Sequence, residues 1–270
     1  MLRVQVRRLK SWEEFRECER IQQEVWGTVA ASSELLSVTQ KCGGVVLGAY
    51  WGKKMAGFLY AFLGRFEKRT VHWSHMMAVR QRCRDLGLGF RMKVAHRRLA
   101  LAQGIKSICW TYDPLQSRNA ALNVARLGVQ ITKYISDCYG HFPSAIEKGL
   151  ASDRFVVNWA IASQRVAERL RQGPPQMDVS GLPRANETAS TAGGFLGNRK
   201  LHLIIRSRQL IVEIPPNTDA MRAADIELAR RWRQDTRRIF QAYFRAGYQV
   251  EDFVAPSVAT PGRCFYVLRR

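Results

Sequence analysis

No stretch of the 270-residue sequence approaches the ~18 consecutive apolar residues of a membrane-spanning helix. Residues 1–8, Met-Leu-Arg-Val-Gln-Val-Arg-Arg, also lack the apolar run of a signal peptide, so a cytoplasmic chain without membrane partners is the expectation. The six cysteines (Cys18, Cys42, Cys83, Cys109, Cys138, Cys264) form no C-x-x-C pair, and the five histidines make no zinc spacing with them. Neither a disulfide framework nor a metal site is expected. Acidic residues are scarce too: 22 Asp and Glu stand against 43 Lys and Arg, a formal net charge of +21. Such a field favours anionic partners, among them nucleotide cofactors, nucleic acids and anionic lipids. An arginine-rich solvated surface gives the same count, so charge alone selects none of them.

With 46% hydrophobic residues the chain can bury one good core and a second, smaller one. Residues 3–9 alternate as a strand. Trp12, Phe15, Cys18, Ile21 and Val25 then mark one helical face. Residues 45–50 and 55–62 flank the turn Trp51-Gly52-Lys53-Lys54 as a β-hairpin, and residues 71–79 add a strand. A central helix is expected over 90–103, stopped by Gly104. A buried strand at 105–112, a short helix at 118–127 ended by Gly128, and strands at 129–135 and 154–161 complete an α/β or α+β domain with a mixed sheet. Gly and Pro crowd residues 172–199. The chain therefore divides into a domain at 1–165, a linker or mobile segment at 166–200, and a small α/β unit at 201–270 with one long basic helix over 219–246.

The segment that points to chemistry is Met76-Met77-Ala78-Val79-Arg80-Gln81-Arg82-Cys83-Arg84-Asp85-Leu86-Gly87-Leu88-Gly89-Phe90-Arg91-Met92, a strand passing through a basic, glycine-containing turn into a helix. Backbone N–H groups of a tight turn and a helix start converge on an anion, and the helix dipole adds positive charge there. Gly87 and Gly89 let the backbone approach a pyrophosphate, with Arg82, Arg84 and Arg91 adding to the field. A lone G-x-G also marks ordinary turns.

In this context Arg84-Asp85-Leu86-Gly87-Leu88-Gly89 resembles the motif of the GNAT superfamily of N-acetyltransferases, with Val79 and Met92 matching its flanks. The likeness extends over most of residues 1–160. It implies a GNAT-like mixed central β-sheet flanked by helices, and an acyltransferase that uses acetyl-CoA or another acyl-CoA as co-substrate without a metal. The pantetheine arm is then expected along Met77, Ala78 and Val79, and the pyrophosphate on Arg84, Asp85, Leu86, Gly87, Leu88 and Gly89. A backbone N–H near Met77 or Ala78 is the expected oxyanion donor. Asp85 departs from the family's usual Gly, so it should point away from phosphate or cap the helix. Further stretches, Ser74-His75-Met76-Met77, Thr111-Tyr112-Asp113-Pro114 and Ser152-Asp153-Arg154-Phe155, resemble a bacterial subfamily described as predicted acetyltransferases.

The superfamily's usual general acid, a Tyr four residues before the Gly after the short helix, is Val124 here; Tyr139 and Tyr112 are the alternatives. Candidate bases are His75, which alternation puts on one face with Trp73 and Met77, Asp113 at a strand end, and Glu24. Each has a structural alternative: a packing tyrosine, a core histidine, a turn-capping Asp. Asn119 and Asn123, four apart, share a helix face that suits cofactor or substrate, and a local cap explains Asn119 equally. Arg233 and Arg237, also four apart, form either a bidentate receptor for a substrate carboxylate or a solvated face; Glu24 is a third candidate for substrate contact.

The leading expectation is N-acyl transfer to a primary amine of a small metabolite, with a protein N-terminus or lysine as the second acceptor class. A nucleic-acid module is the contrasting reading, since the 219–246 helix holds seven arginines. Its acids Asp219, Asp225, Glu227 and Asp235, and the absence of a known binding motif, argue against it. A non-catalytic acyl-CoA-binding scaffold is the third. A dimer is compatible with all of them.

Overall fold

The computed structural model describes residues 4–140, 149–256, 258 and 260–270; Arg3, where the first strand was expected to begin, lies outside them. Main-chain packing divides the chain into two compact units, Met1–Trp110 with Trp159–Ser163, and Thr111–Asn158 with Gln164–Arg270. A division that leaves one unit at Thr111 and returns at Trp159 carries no composition signal in the sequence.

Unit one opens with β1 (Val4–Arg8) and α1 (Trp12–Trp26). The Ser11 hydroxyl caps α1 by accepting from the Glu14 N–H, Glu13 and Glu14 complement the helix dipole, and Gly27, at φ 72°, ends it. The buried stripe is Phe15, Cys18, Ile21 and Gln22, whereas Trp12 faces out. The Gln22 carboxamide bonds Ala30 N, Ala31 N and Ala31 O, which fixes the turn into α2 (Ser33–Lys41). Only Ser33 and Leu36 of α2 are buried, too thin an apolar stripe to register in the sequence.

The sheet of unit one runs β1-β2-β3-β4-β5, with β2 (Val45–Trp51), β3 (Lys54–Phe66), β4 (Arg69–Val79) and β5 (Ser107–Tyr112), whose last two residues pass into unit two. All neighbours are antiparallel except β4 and β5, which are parallel. Glu67 and Lys68 close the β3–β4 hairpin in the left-handed region, at φ 47° and 64°. One face of the sheet (Val46, Phe58, Tyr60, Ala78) packs on α1 and α2. The opposite face (Val45, Leu47, Leu59, Ala61) packs on Leu88 and Met92 of α3 (Leu88–Ala102). Each fully buried large side chain contributes roughly 1.5–3 kcal/mol.

Unit two holds the rest. Helix α4 (Ser117–Ala120) widens into a π-helical segment, Ala121–Arg126, before Gly128; β6 (Lys133–Ile135) pairs antiparallel with β7 (Arg154–Ala160). The stretch expected as a linker carries regular structure: α5 (Gln164–Gln172) and the hairpin of β8 (Asn186–Ser190) and β9 (Leu196–Leu201). Its short polar strands have little apolar alternation to betray them. Strand β10 (Gln209–Ile214) is followed by α6 (Thr218–Ala224) and α7 (Ile226–Arg245), not by one continuous helix. The break is Asp225, whose extended backbone and carboxylate cap α7 through Leu228 N at 2.8 Å. Strands β11 (Gln249–Val254) and β12 (Cys264–Arg269) complete an antiparallel sheet in the order β10-β12-β11. Phe155, Phe240, Phe253 and Tyr266 meet edge to face in its aromatic core, and Phe244 packs tilted against Phe155 and Phe240.

Candidate active site

In unit one, β4 pairs with β5 only at His72↔Ile108 and Trp73↔Cys109, while its ladder to β3 continues to Val79↔Gly57. Between these limits β4 carries a bulge: Ser74 opposes Ala61, Met76 opposes Tyr60, and His75 is the extra residue. A bulge bends and twists its strand. From Ser74 onward, the edge of β4 turned away from β3 therefore has no ladder partner among the described residues. An open edge accepts another extended chain that carries amides.

The bulge also changes the faces. His75 packs its ring against Tyr60 and Phe62, at centroid distances of 5.8 and 5.9 Å, on the α1–α2 side, whereas Met77 joins the α3 side. The expected sharing of a face by His75 and Met77 is thus overturned by one inserted residue. His75 has an exposed edge, and desolvation by the aromatic rings pulls it below its usual 6.5.

Beyond Val79 the chain makes a tight turn, Gln81–Cys83, in which Arg84 N–H is taken by Gln81 O at 3.2 Å. Of the residues expected to cradle phosphate, Arg84 therefore offers its side chain and not its N–H. Among the described residues, the N–H groups of Leu86, Gly87, Leu88 and Gly89 have no acceptor, and the first bond of α3 is Arg91 N to Gly87 O at 3.1 Å. Helices α1, α2, α6 and α7 each begin with a side-chain cap; α3 begins with Gly87 and none. Gly87 is required by its φ of 70°, and a Cβ there would meet no protein atom within 4 Å, so the space before the helix is open. Asp85 is in the left-handed region at φ 66° and does not cap α3, which removes the capping role expected for it.

Arg82, Arg84 and Arg91 are exposed and make no ion pair among the described residues. Arg80 is different. Glu17 and Glu24 hold its guanidinium at 2.8 Å each and raise its pKa, and it donates to Met55 O at 2.6 Å. Glu24 is correspondingly lowered by Arg80, which makes it a poor base. Glu24, Arg80, Gln81, Arg82 and Arg84 line a recess of about 480 Å³. A second, of about 500 Å³, is lined by Glu13, Glu17, Tyr50, Lys53, Lys54 and Arg82 among others.

A buried polar seam on α3 went unforeseen. Lys93, 3% exposed, donates to Ser74 Oγ at 3.0 Å and lies 3.5 Å from the Trp110 ring centre; burial lowers its pKa to about 7. One turn on, His96 Nε2 meets His72 Nδ1 at 3.0 Å with both rings buried and both pKa values lowered by desolvation. Its only sequence signal was polar residues, Lys93 and His96, spaced to share a helix face with Met92 and Ala100.

In unit two, Asp113 is held by Arg233 through two bonds of 2.7 and 2.6 Å and accepts from Leu115 N at 2.8 Å. Arg237 binds Asp153 in the same forked way, at 2.8 and 2.5 Å. Burial alone would raise Asp153, but bonds from Arg237, Tyr134 and Asp137 N hold it below the usual carboxylate value. Arg233 and Arg237 are thus neither a vacant carboxylate receptor nor a solvated face, and Asp113 is no vacant base. Each has its partner within the same unit, a tertiary pairing that spacing cannot reveal. Asn119 is exposed and Asn123 buried, because the winding changes at Ala121, so they do not share a face. Val124 is buried; Tyr112 is buried against Tyr266, and desolvation raises it far above an acid's range. Tyr139 is 51% exposed, with its hydroxyl 2.8 Å from Thr111 Oγ1.

No protein-family model and no curated protein sequence matches the chain. Solved structures do. An acetyltransferase of the GNAT family from Streptococcus pneumoniae aligns at 16% identity and a TM-score of 0.48, over 58% of this chain and 98% of its own. The ribosomal-protein-S18-alanine N-acetyltransferase from Escherichia coli aligns at 14% identity and 0.48, over 60% and 96%. Arabidopsis thaliana Naa50, in complex with a bisubstrate analogue of CoA and a peptide, aligns at 12% identity and 0.46, over 57% and 97%. The described residues hold no cluster of His, Cys, Asp and Glu fit for a metal.

Proposed function

We propose that this chain is an acyl-CoA-dependent N-acyltransferase whose acyl-CoA is held by unit one. The observation that carries the reading is the uncapped start of α3. Four N–H groups without acceptors and three unpaired arginines stand beside an open strand edge, each matched to one part of a CoA thioester. The pyrophosphate takes the N–H groups of residues 86–89 with Arg82 and Arg84 around it, and the two amides of the pantetheine arm extend the sheet along Met77, Ala78 and Val79. A backbone N–H at Met77 or Ala78 then stabilises the oxyanion.

The acceptor amine attacks the thioester carbonyl, a C–N bond forms, the C–S bond breaks, and CoA leaves as the thiol. His75, its pKa lowered by desolvation, takes the proton of the acceptor ammonium, and solvent returns one to the thiolate. The recess lined by Glu13, Glu17, Lys53, Lys54 and Arg82 mixes both signs of charge and has the size of a small-molecule pocket, which supports a small amine that also carries an anionic group. Release of CoA thiol from acetyl-CoA and succinyl-CoA, followed across amino acids, aminoglycosides, polyamines and peptides, tests this. Turnover confined to peptides would move the acceptor to protein, and no turnover on any amine would leave a CoA-binding scaffold.

A further inference from the structure

One face of α7 reads Arg231, Gln234, Arg238, Gln241, Arg245, all exposed except the half-buried Gln241, whose amide donates to Ser136 Oγ; the alternating spacings of three and four form a single stripe along the helix. Its three arginines stand seven residues apart, about 10.5 Å per step, and drift only ~20° per step around the axis. Arg231 and Arg238 have no hydrogen bond or ion pair among the described residues, and Arg245 bonds only Gln241 O of its own helix. The acids that balance this helix in the sequence are engaged elsewhere. Asp219 pairs Arg222, Asp225 caps α7, Glu227 pairs Arg230, and Asp235 accepts from Asn198 Nδ2. The charge cancellation suggested by composition therefore does not extend to this face.

At the Arg245 end of the stripe lies a recess of about 430 Å³ between α7 and β6, lined by Thr132, Lys133, Tyr134, Gln241, Phe244 and Arg245. Two aromatic rings among basic and amide groups suit a planar, polar ring better than a lipid tail or an acidic side chain. The geometry points to a binding surface for single-stranded nucleic acid: the stripe tracks consecutive phosphates, and the recess receives an unstacked base against Phe244 and Tyr134. This goes beyond the acyltransferase reading and does not rest on it.

The test is fluorescence anisotropy of the full chain with labelled 20-nucleotide oligouridine, oligothymidine and an abasic oligomer, across a salt series. Anionic phosphatidylserine vesicles and polyglutamate compete in parallel. The triple variant Arg231→Gln, Arg238→Gln, Arg245→Gln is compared with a charge-matched triple on unit one, Arg69→Gln, Arg98→Gln, Lys106→Gln. The stripe variant should bind oligouridine at least about tenfold more weakly, with a log–log salt slope lower by about 2, as expected for three lost phosphate contacts. The unit-one variant should change less than about threefold. The wild type should prefer base-bearing over abasic oligomers, and Phe244→Leu should erase that preference. Tighter binding of oligouridine than oligothymidine would assign RNA. Equal weakening by the two triples, or stronger binding to vesicles or polyglutamate than to either oligomer, would overturn the proposal.

Discussion

Lys93 is a cation by sequence and a buried amine in the fold, its pKa lowered by desolvation to about 7 from 10.5. Its sign is that of a depressed base. The unfolded chain binds the extra proton between those two values, so this site's contribution grows as pH rises through the window and is lost as pH falls toward 7. Lys93→Met, which keeps length and removes the charge, should raise the melting temperature at pH 7 and flatten the rise in stability between pH 7 and 10 relative to wild type; a parallel pair of curves would contradict this. Opposite logic governs Arg233, 3% exposed and forked onto Asp113. Arg233→Met strands a carboxylate and should cost about 3–5 kcal/mol in denaturant unfolding. For His75, the base proposed above, the prediction is one of rate. With its pKa lowered below 6.5, kcat/KM should rise with pH along a limb whose midpoint lies below 6.5, and His75→Gln should cost about 10²-fold or more and remove that limb.

At the scale of elements, the sequence was most legible where apolar period and stop signals agree. Helix α1 follows its three-and-four spacing, and α3 lies between two glycines as expected. It was least legible where one residue changes phase. The bulge at His75 moves Met77 to the other face, the π-helical turn after Ala120 separates Asn119 from Asn123, and Asp225 cuts one basic helix into two. The β3–β4 turn through Glu67 and Lys68 lacks the glycine or asparagine that normally announces a left-handed pair. Asp225→Ala removes the cap that makes α7 a separate helix and should cost about 1 kcal/mol, read from chemical unfolding.

Across the whole chain, an α/β or α+β class with a mixed sheet was readable from the order of elements; the flanking helices were implied by the family resemblance, and the largely antiparallel pairing emerges only in the structure. Partner assignments were not: Arg233 with Asp113 and Arg237 with Asp153 bridge 120 and 84 residues. The turn proposed to hold phosphate was legible as a motif because backbone chemistry needs its glycines in fixed local order, whereas no local order in the sequence marks an acid, a base or an acceptor contact. The net charge of +21 adds a salt-dependent attraction for any anion, so cofactor binding must be separated from field effects. Calorimetric titration with acetyl-CoA, succinyl-CoA and free CoA at 150 mM salt does so when the wild type is compared with a Gly87→Glu, Gly89→Glu variant whose melting curve shows that it is folded. The account predicts micromolar binding by the wild type and its loss in the variant; absence of binding to all three, or equal binding by both proteins, would contradict it.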